Sequence, residues 1–237
     1  RKPFSAYLEY KTDVYTREQL KELCKWLTGQ VNASWTETGT KTSRQMQEAG
    51  ADAMEGLGER YPALKGPYPK PKPLIVSRIL SVQQLSGIYS PFTIEANYNN
   101  EMTAYNIPHT ICHELSHLRG FMREEEANFI GFLACAASDD PEFCYSGYLS
   151  AWIYAGNALA AEDIEFYSEC YRALRPEVRE DLKENSQFWN RFESRVSEAA
   201  EAMNDHYLKA NSQPEGVKSY GRVTDLLLAW YENRKGP

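Results

Sequence analysis

The sequence predicts a predominantly helical α+β fold with a small β-sheet. Three observations point there. Apolar residues recur at three- and four-residue steps toward both ends of the chain, two short β-type runs lie between residues 74 and 98, and proline and glycine stand where helices should start and stop. The 237 residues are 42% hydrophobic, enough to build a real core, and 25% charged, which argues against disorder. We read residues 1–237 as a single domain with an N-terminal helical part (1–65), a proline-rich connector (66–73) and a part carrying the sheet and further helices (74–237).

Thr16, followed by Glu18 and Gln19, caps a helix from about Arg17 to Ser34 whose inner face is Leu20, Leu23, Trp26, Leu27 and Val31. A second helix runs from Ser43 to Tyr61, where small residues such as Gly50 suggest close packing against a neighbour. The prolines of Gly66–Pro73 remove backbone donors and favour a stiff, extended connector. Two strands are then expected, Leu74–Val82 and Pro91–Tyr98, the second alternating Phe92, Ile94, Ala96 and Tyr98. From Pro108 onward the chain reads as helix. One helix is bounded by Asn106-Ile-Pro108 and Gly120, others begin near Arg123, Pro141 and Ala161, and a long one covers Pro176 to Lys209. The last spans about Lys218 to Asn233, and the stripe from Trp189 through Phe192, Val196, Ala199 and Met203 to Tyr207 is assigned to the core.

Composition narrows the function classes. With 26 Lys+Arg against 33 Asp+Glu the net charge is −7, and without a dense basic patch a nucleic-acid partner is disfavoured. The longest apolar stretches, around Ile130–Ala137 and Leu226–Trp230, fall far short of the roughly 20 residues that cross a bilayer. The chain opens on Arg-Lys-Pro without a signal core, so it reads as a piece of something longer. Five cysteines without CxxC spacing signal no zinc knuckle and leave room for one disulfide, such as Cys135–Cys144 or Cys144–Cys170.

Three of the four histidines fall within nine residues, His109, His113 and His117. His113 and His117 stand four apart on the expected helix, so both imidazoles leave one face and can meet one Zn²⁺ at about 2.0–2.1 Å. Glu114 completes an HExxH motif, beside the first ligand and positioned to act as a general base on water. His109 lies one turn too far for a ligand on the same tetrahedron and reads as a helix-start or pocket-rim group. The third ligand is sought in Glu124-Glu125-Glu126, which opens the next helix after a reversal at Gly120. Glu124 is favoured because Asn128, four residues on, can orient a ligand and Ala127 permits close approach. Glu126 stays open as an alternative, and Glu125 is expected in solvent, contributing only to the helix dipole. Pro91–Asn97 reads either as a substrate-holding edge strand or as an ordinary core strand. Tyr220 and Arg222 are candidate oxyanion stabilisers, or else a core tyrosine and a surface ion pair.

The pattern of His113-Glu114-Leu-Ser-His117 followed by Glu124-Glu-Glu-Ala127-Asn128 resembles the gluzincin arrangement of the CAAX prenyl proteases and HtpX-like membrane proteases. There the Glu of the second motif is the third zinc ligand and an Asp usually holds the position of Asn128. The chain is more similar to the bacterial domain of unknown function 3810 family of zinc peptidases, through His113–His117, Gly120, Glu124–Phe129, Ser90–Asn97 and Ser219–Leu227. The resemblance implies a zincin-like domain that binds zinc through His113, His117 and Glu124 and cleaves a peptide or protein substrate. It also implies that a segment missing from this chain anchors the protein to a membrane, with the domain outside the cytoplasm. The rival expectations are a catalytically inactive zincin-like sensor or partner-binding domain, and a structural zinc site with four protein ligands that include His109.

Overall fold

The structure, a computed structural model, describes residues 2–8, 15–192 and 219–235, without the side chains of 219, 220 and 235. A 3-10 turn, Phe4–Tyr7, precedes helices α1 (Arg17–Ser34), α2 (Ser43–Arg60), α3 (Ser77–Val82), α4 (Asn106–Leu118), α5 (Glu124–Ala136), α6 (Pro141–Glu162), α7 (Ile164–Arg172), α8 (176–192) and α9 (Ser219–Lys235). The strands are β1 (Lys72–Pro73), β2 (Gly87–Ser90) and β3 (Glu95–Tyr98). The fold is thus predominantly helical α+β with one small sheet, as the sequence pattern predicts.

Local chemistry sets the helix starts. Thr16 and Gln19 form a reciprocal capping box at α1, and Thr42 and Gln45 repeat it at α2, so each box satisfies two backbone donors that a helix start leaves open. Asp140 accepts from the amides of Glu142 and Phe143 ahead of Pro141, which needs no partner for its nitrogen.

The sheet has the order β1-β3-β2, with β1 parallel to β3 (Lys72↔Asn97) and β2 antiparallel to it (Gly87↔Tyr98 through Ser90↔Glu95). It packs on α4, which also meets α2, α5 and α6 and is buried along almost its whole length. Between α2 and α4 the approach is so close that a Cβ on Gly50 would stand 2.4 Å from Ile111 Cγ2. The small residues of α2 therefore mark a helix contact, as expected.

The region between residues 72 and 94 departs from the expected pattern. Leu74–Val82 is not a strand, because Ser77 and Ser81, one helical turn apart, are both drawn inward. Ser77 Oγ donates to the Leu74 carbonyl (2.6 Å) and accepts from the Asn100 amide (2.8 Å), while Ser81 Oγ accepts from the Asn99 side chain (2.9 Å). Those bonds override the β propensity of Leu74-Ile75-Val76. The run Pro91–Tyr98 is a strand only from Glu95, since β2 pairs back on it and residues 91–94 form the hairpin turn, closed by hydrogen bonds from Thr93 to Ser90 Oγ. Phe92 and Ile94 therefore stand in solvent rather than alternating in a sheet. The proline-rich connector ends as strand β1.

All five cysteines are free, so neither suggested disulfide forms; Cys112 and Cys135 bring their sulfurs to 3.7 Å across the α4–α5 contact. Phe192 is buried and Trp189 packs against the core, whereas the stripe from Val196 to Tyr207 lies outside the described residues. Among the described residues no helix is long and apolar enough to cross a membrane.

Two glycines of α2 should respond oppositely to alanine. Gly50→Ala must push into the buried Ile111 and should destabilise by about 1–3 kcal/mol. Gly56→Ala, with nothing within 4 Å of the new methyl group, should stabilise by about 0.5–1 kcal/mol. Denaturant melts of both variants check this, and equal shifts would overturn the assigned packing.

Candidate metal centre

Three side chains converge where α4 turns into α5. His113 Nε2 and His117 Nε2 lie 3.0 Å apart, Glu124 Oε2 is 3.2 Å from the first, and Glu124 Oε1 is 3.7 Å from the second. The reversal that brings them together is short. Gly120, at φ +82°, takes a left-handed conformation that favours glycine, its amide donates to the His117 carbonyl (2.8 Å), and α5 begins four residues later.

The outer nitrogens fix how the two rings are protonated. His117 Nδ1 lies 2.8 Å from the Phe121 carbonyl and His113 Nδ1 lies 2.7 Å from Asn128 Oδ1, so each Nδ1 carries the hydrogen and donates it. Each neutral ring then aims the lone pair of Nε2 at the other ring and at a carboxylate. Acceptors facing acceptors repel unless a positive charge lies between them. Without a metal ion, a proton serves. Burial works against a charged His113, but the Glu124 carboxylate, the charge of Glu114 and the Asn128 bond together raise it to about 9. Burial and the neighbouring His113 charge push His117 down to about 4. Burial would raise Glu124, yet its hydrogen bond to His113 and the two histidine charges hold it below the ordinary carboxylate value.

A metal ion suits the same position. Tetrahedral zinc with ligand distances of about 2.0–2.1 Å requires ligand atoms roughly 3.3 Å apart. The two imidazole nitrogens stand 3.0 Å apart, and the two oxygens of the carboxylate lie 3.2 and 3.7 Å from one nitrogen each, close to that value. The ligand types, two imidazoles and a carboxylate, also match zinc's preferences.

Glu114 stands outside this trio but near enough for its charge and those of His113 and Glu124 to act on one another. It is 5% exposed, and it faces Gly87 of β2 so closely that a Cβ there would come within 2.5 Å of Glu114 Oε1. Burial pushes its carboxyl up to about 8, the His113 charge opposing and the Glu124 charge adding to the rise. Two residues along the same strand, the Tyr89 ring packs 6.3 Å from the ring of His117. Among the described residues the strand edge beside the site therefore belongs to β2, while β3, which contains the end of Pro91–Asn97, is the central strand.

The three consecutive glutamates have three separate partners. Glu124 faces the histidines. Glu125, expected in solvent, is instead 5% exposed with Arg222 Nη1 3.6 Å from its carboxylate. Glu126 Oε1 accepts the Phe4 amide at 2.7 Å, tying the N-terminal turn to α5. Arg222, a candidate oxyanion stabiliser, thus pairs with Glu125, and the side chain of Tyr220 lies outside the described residues. His109 is buried rather than on a pocket rim, and its Nε2 lies 3.0 Å from the Asn128 carbonyl, which occupies the atom a fourth ligand would need. Asn128 therefore touches two histidines, one through its side chain and one through its backbone.

Sequence reasoning missed Gly87, Tyr89 and Phe121. A glycine inside a β-type run signals close backbone approach and is legible in principle. Phe121 acts through its carbonyl, which leaves no trace in residue identity.

The chain belongs to the family described as "Protein of unknown function (DUF3810)", whose model matches residues 1–228. No curated protein and no solved structure matches it.

Because His113 holds a proton at pH 7 that a bound cation must displace, zinc binding should release roughly one proton at that pH. The release should fade as pH rises through about 9, where His113 is already neutral. Calorimetry in buffers of different ionisation enthalpy measures it, and a release independent of pH would refute the assigned protonation. Asn128→Ala should weaken zinc binding about 10–100-fold through loss of the bond that orients His113. Glu124→Ala should weaken it more than Glu125→Ala or Glu126→Ala, whose carboxylates are engaged elsewhere. A competition titration in which Glu124→Ala is the mildest of the three would remove it from the ligand set.

Proposed function

We propose that this chain is a zinc-dependent metallopeptidase domain in which His113, His117 and Glu124 hold the metal and Glu114 is the general base, acting on a peptide or protein substrate. The observation that carries this reading is the convergence of two imidazole nitrogens and the two oxygens of one carboxylate at separations close to those a tetrahedral metal needs. The reading takes in membrane attachment through a segment outside this sequence and a domain outside the cytoplasm, both following the family resemblance.

When bound, zinc would supply Lewis acidity, acidifying water and polarising a carbonyl. The remaining work falls to the chain. Asn128 and the Phe121 carbonyl hold the two rings in the tautomer that presents Nε2. Glu114 takes a proton from the attacking water as its oxygen bonds to the carbonyl carbon, then returns that proton to the amine nitrogen as the C–N bond breaks. Burial raises the Glu114 carboxyl and a cation held by the neighbouring trio would lower it again, and those opposing effects suit a group that both takes and returns a proton. The free edge of β2 offers backbone groups to an extended substrate next to Glu114 and His117. An inactive sensor would have no use for a buried carboxyl beside the metal position, because burying an unpaired acid costs stability.

Glu114→Gln should keep the fold and about one zinc per chain while removing peptide hydrolysis. Elemental analysis with a peptide-library digest decides, and zinc loss comparable to that of His113→Ala would make Glu114 a ligand instead. Gly87→Ala, whose methyl group would collide with Glu114 Oε1, should also keep zinc and cut kcat at least about 10-fold. Unchanged kcat would show that this carboxylate can move without consequence.

A further inference from the structure

Among the described residues, nine large hydrophobic side chains are exposed, and seven of them lie between residues 75 and 94. Ile75 is fully exposed and Phe92 97% exposed, values far from those of scattered surface apolars. From Arg60 to Ile94 the sequence has five cations and no acid, in a chain whose net charge is −7. Glu59, Glu48 and Glu95, all outside this stretch, pair with Lys65, Lys70 and Lys72 respectively. Between Pro73 and Ile94 the single charge is Arg78.

The exposed apolar side chains nearest the candidate metal centre in sequence lie on β2 and its turn. Side chains alternate along a strand, so the face of Gly87 and Tyr89 looks toward Glu114 and His117 while Ile88 faces away, exposed. Past Ser90 the turn presents Phe92 and Ile94. Ile94 adopts φ +55°, where a β-branched residue is strained and Asn or Gly would sit more easily, yet it is 58% exposed and contributes little burial in return.

We infer that the β2–β3 turn, with Phe92 and Ile94, is a docking surface for an extended apolar segment of the substrate polypeptide. Such a segment pairs along the free edge of β2 and runs on over the turn, so that substrates rich in uncharged apolar residues are selected over charged ones. The inference rests on the peptidase reading for its choice of partner, and it is supported by the continuity of this turn with the strand edge beside Glu114.

The test uses the zinc-loaded Glu114→Gln chain, which binds without turnover, and two labelled peptides of about ten residues, one Leu/Val/Phe-rich and one Asp/Ser/Gly-rich. Phe92→Ser and Ile94→Asn should each weaken the apolar peptide about 10-fold or more, leave zinc content unchanged and leave the weaker binding of the charged peptide as it was. Ile94→Asn should do so without lowering the melting temperature, which separates lost docking from lost folding. Unchanged affinity of the apolar peptide in both variants overturns the inference, even if the wild type cleaves peptides. The expected affinities in a wild type that cleaves nothing support the docking surface and defeat the peptidase reading. Two further outcomes overturn it in favour of another occupant. One is binding to phosphatidylcholine–phosphatidylglycerol vesicles that the variants abolish while peptide affinity stays constant. The other is a concentration-dependent dimer that the variants dissolve in the same way.

Discussion

Two neutral imidazoles and a carboxylate cannot share a few ångströms of protein interior without a positive charge among them. Everything around the α4–α5 reversal enforces that proximity. Gly120 permits the tight turn, and the Phe121 carbonyl and the Asn128 amide oxygen each take the outer proton of one ring. The N-terminal turn braces the reversal from outside, since Phe4 is fully buried with its ring edge-on to Phe121 at 5.2 Å and its amide on Glu126. From the other side, Ser146 of α6 accepts the His109 amide at 3.1 Å, a donor the first turn of α4 would otherwise leave open. The rings are therefore held from behind, and any cation bound in front meets ligands with little freedom left to lose.

The start of α5 shows how an acidic run becomes an interior segment. Successive helical residues point about 100° apart, so Glu124, Glu125 and Glu126 leave in three directions and cannot substitute for one another. Each direction meets a different positive or donating group: the histidines, the Arg222 guanidinium and the Phe4 amide. The positive end of the helix dipole favours all three. Burial still raises Glu126, since one amide bond only partly offsets the lost hydration.

Much of the architecture was legible because it rests on local chemistry. Thr16 and Gln19 predict the start of α1, and Asn106-Ile-Pro108 with Gly120 bound α4. The convergence of His113, His117 and Glu124 was legible for the same reason, the i, i+4 spacing of His113 and His117 and of Glu124 and Asn128. What failed was decided across space. Ser77 and Ser81 became helical because Asn99 and Asn100 stand opposite them, and Phe92 left the sheet because β2, unrecognised, claims the partner edge of β3. Glu125 was misjudged because Arg222, nearly a hundred residues downstream, has no sequence signature as its partner. Gly87 escaped notice because its role lies in the side chain it lacks.

Residues 75–94 break the rules that the rest of the chain keeps. Large apolar side chains stand in water and a β-branched residue holds a left-handed backbone, although α2 upstream is capped and both it and α4 downstream turn apolar residues inward. Such departures cost stability without return inside the isolated fold, and sequences rarely retain them by neglect because asparagine at position 94 would relieve the strain at no loss of core. The same stretch contains Gly87, where a methyl group would collide with Glu114. Strand β2 thus leaves room for a buried carboxyl on its inner face and displays Ile88 outward beside an apolar turn, so its two faces answer to different constraints, close approach on one and exposure on the other.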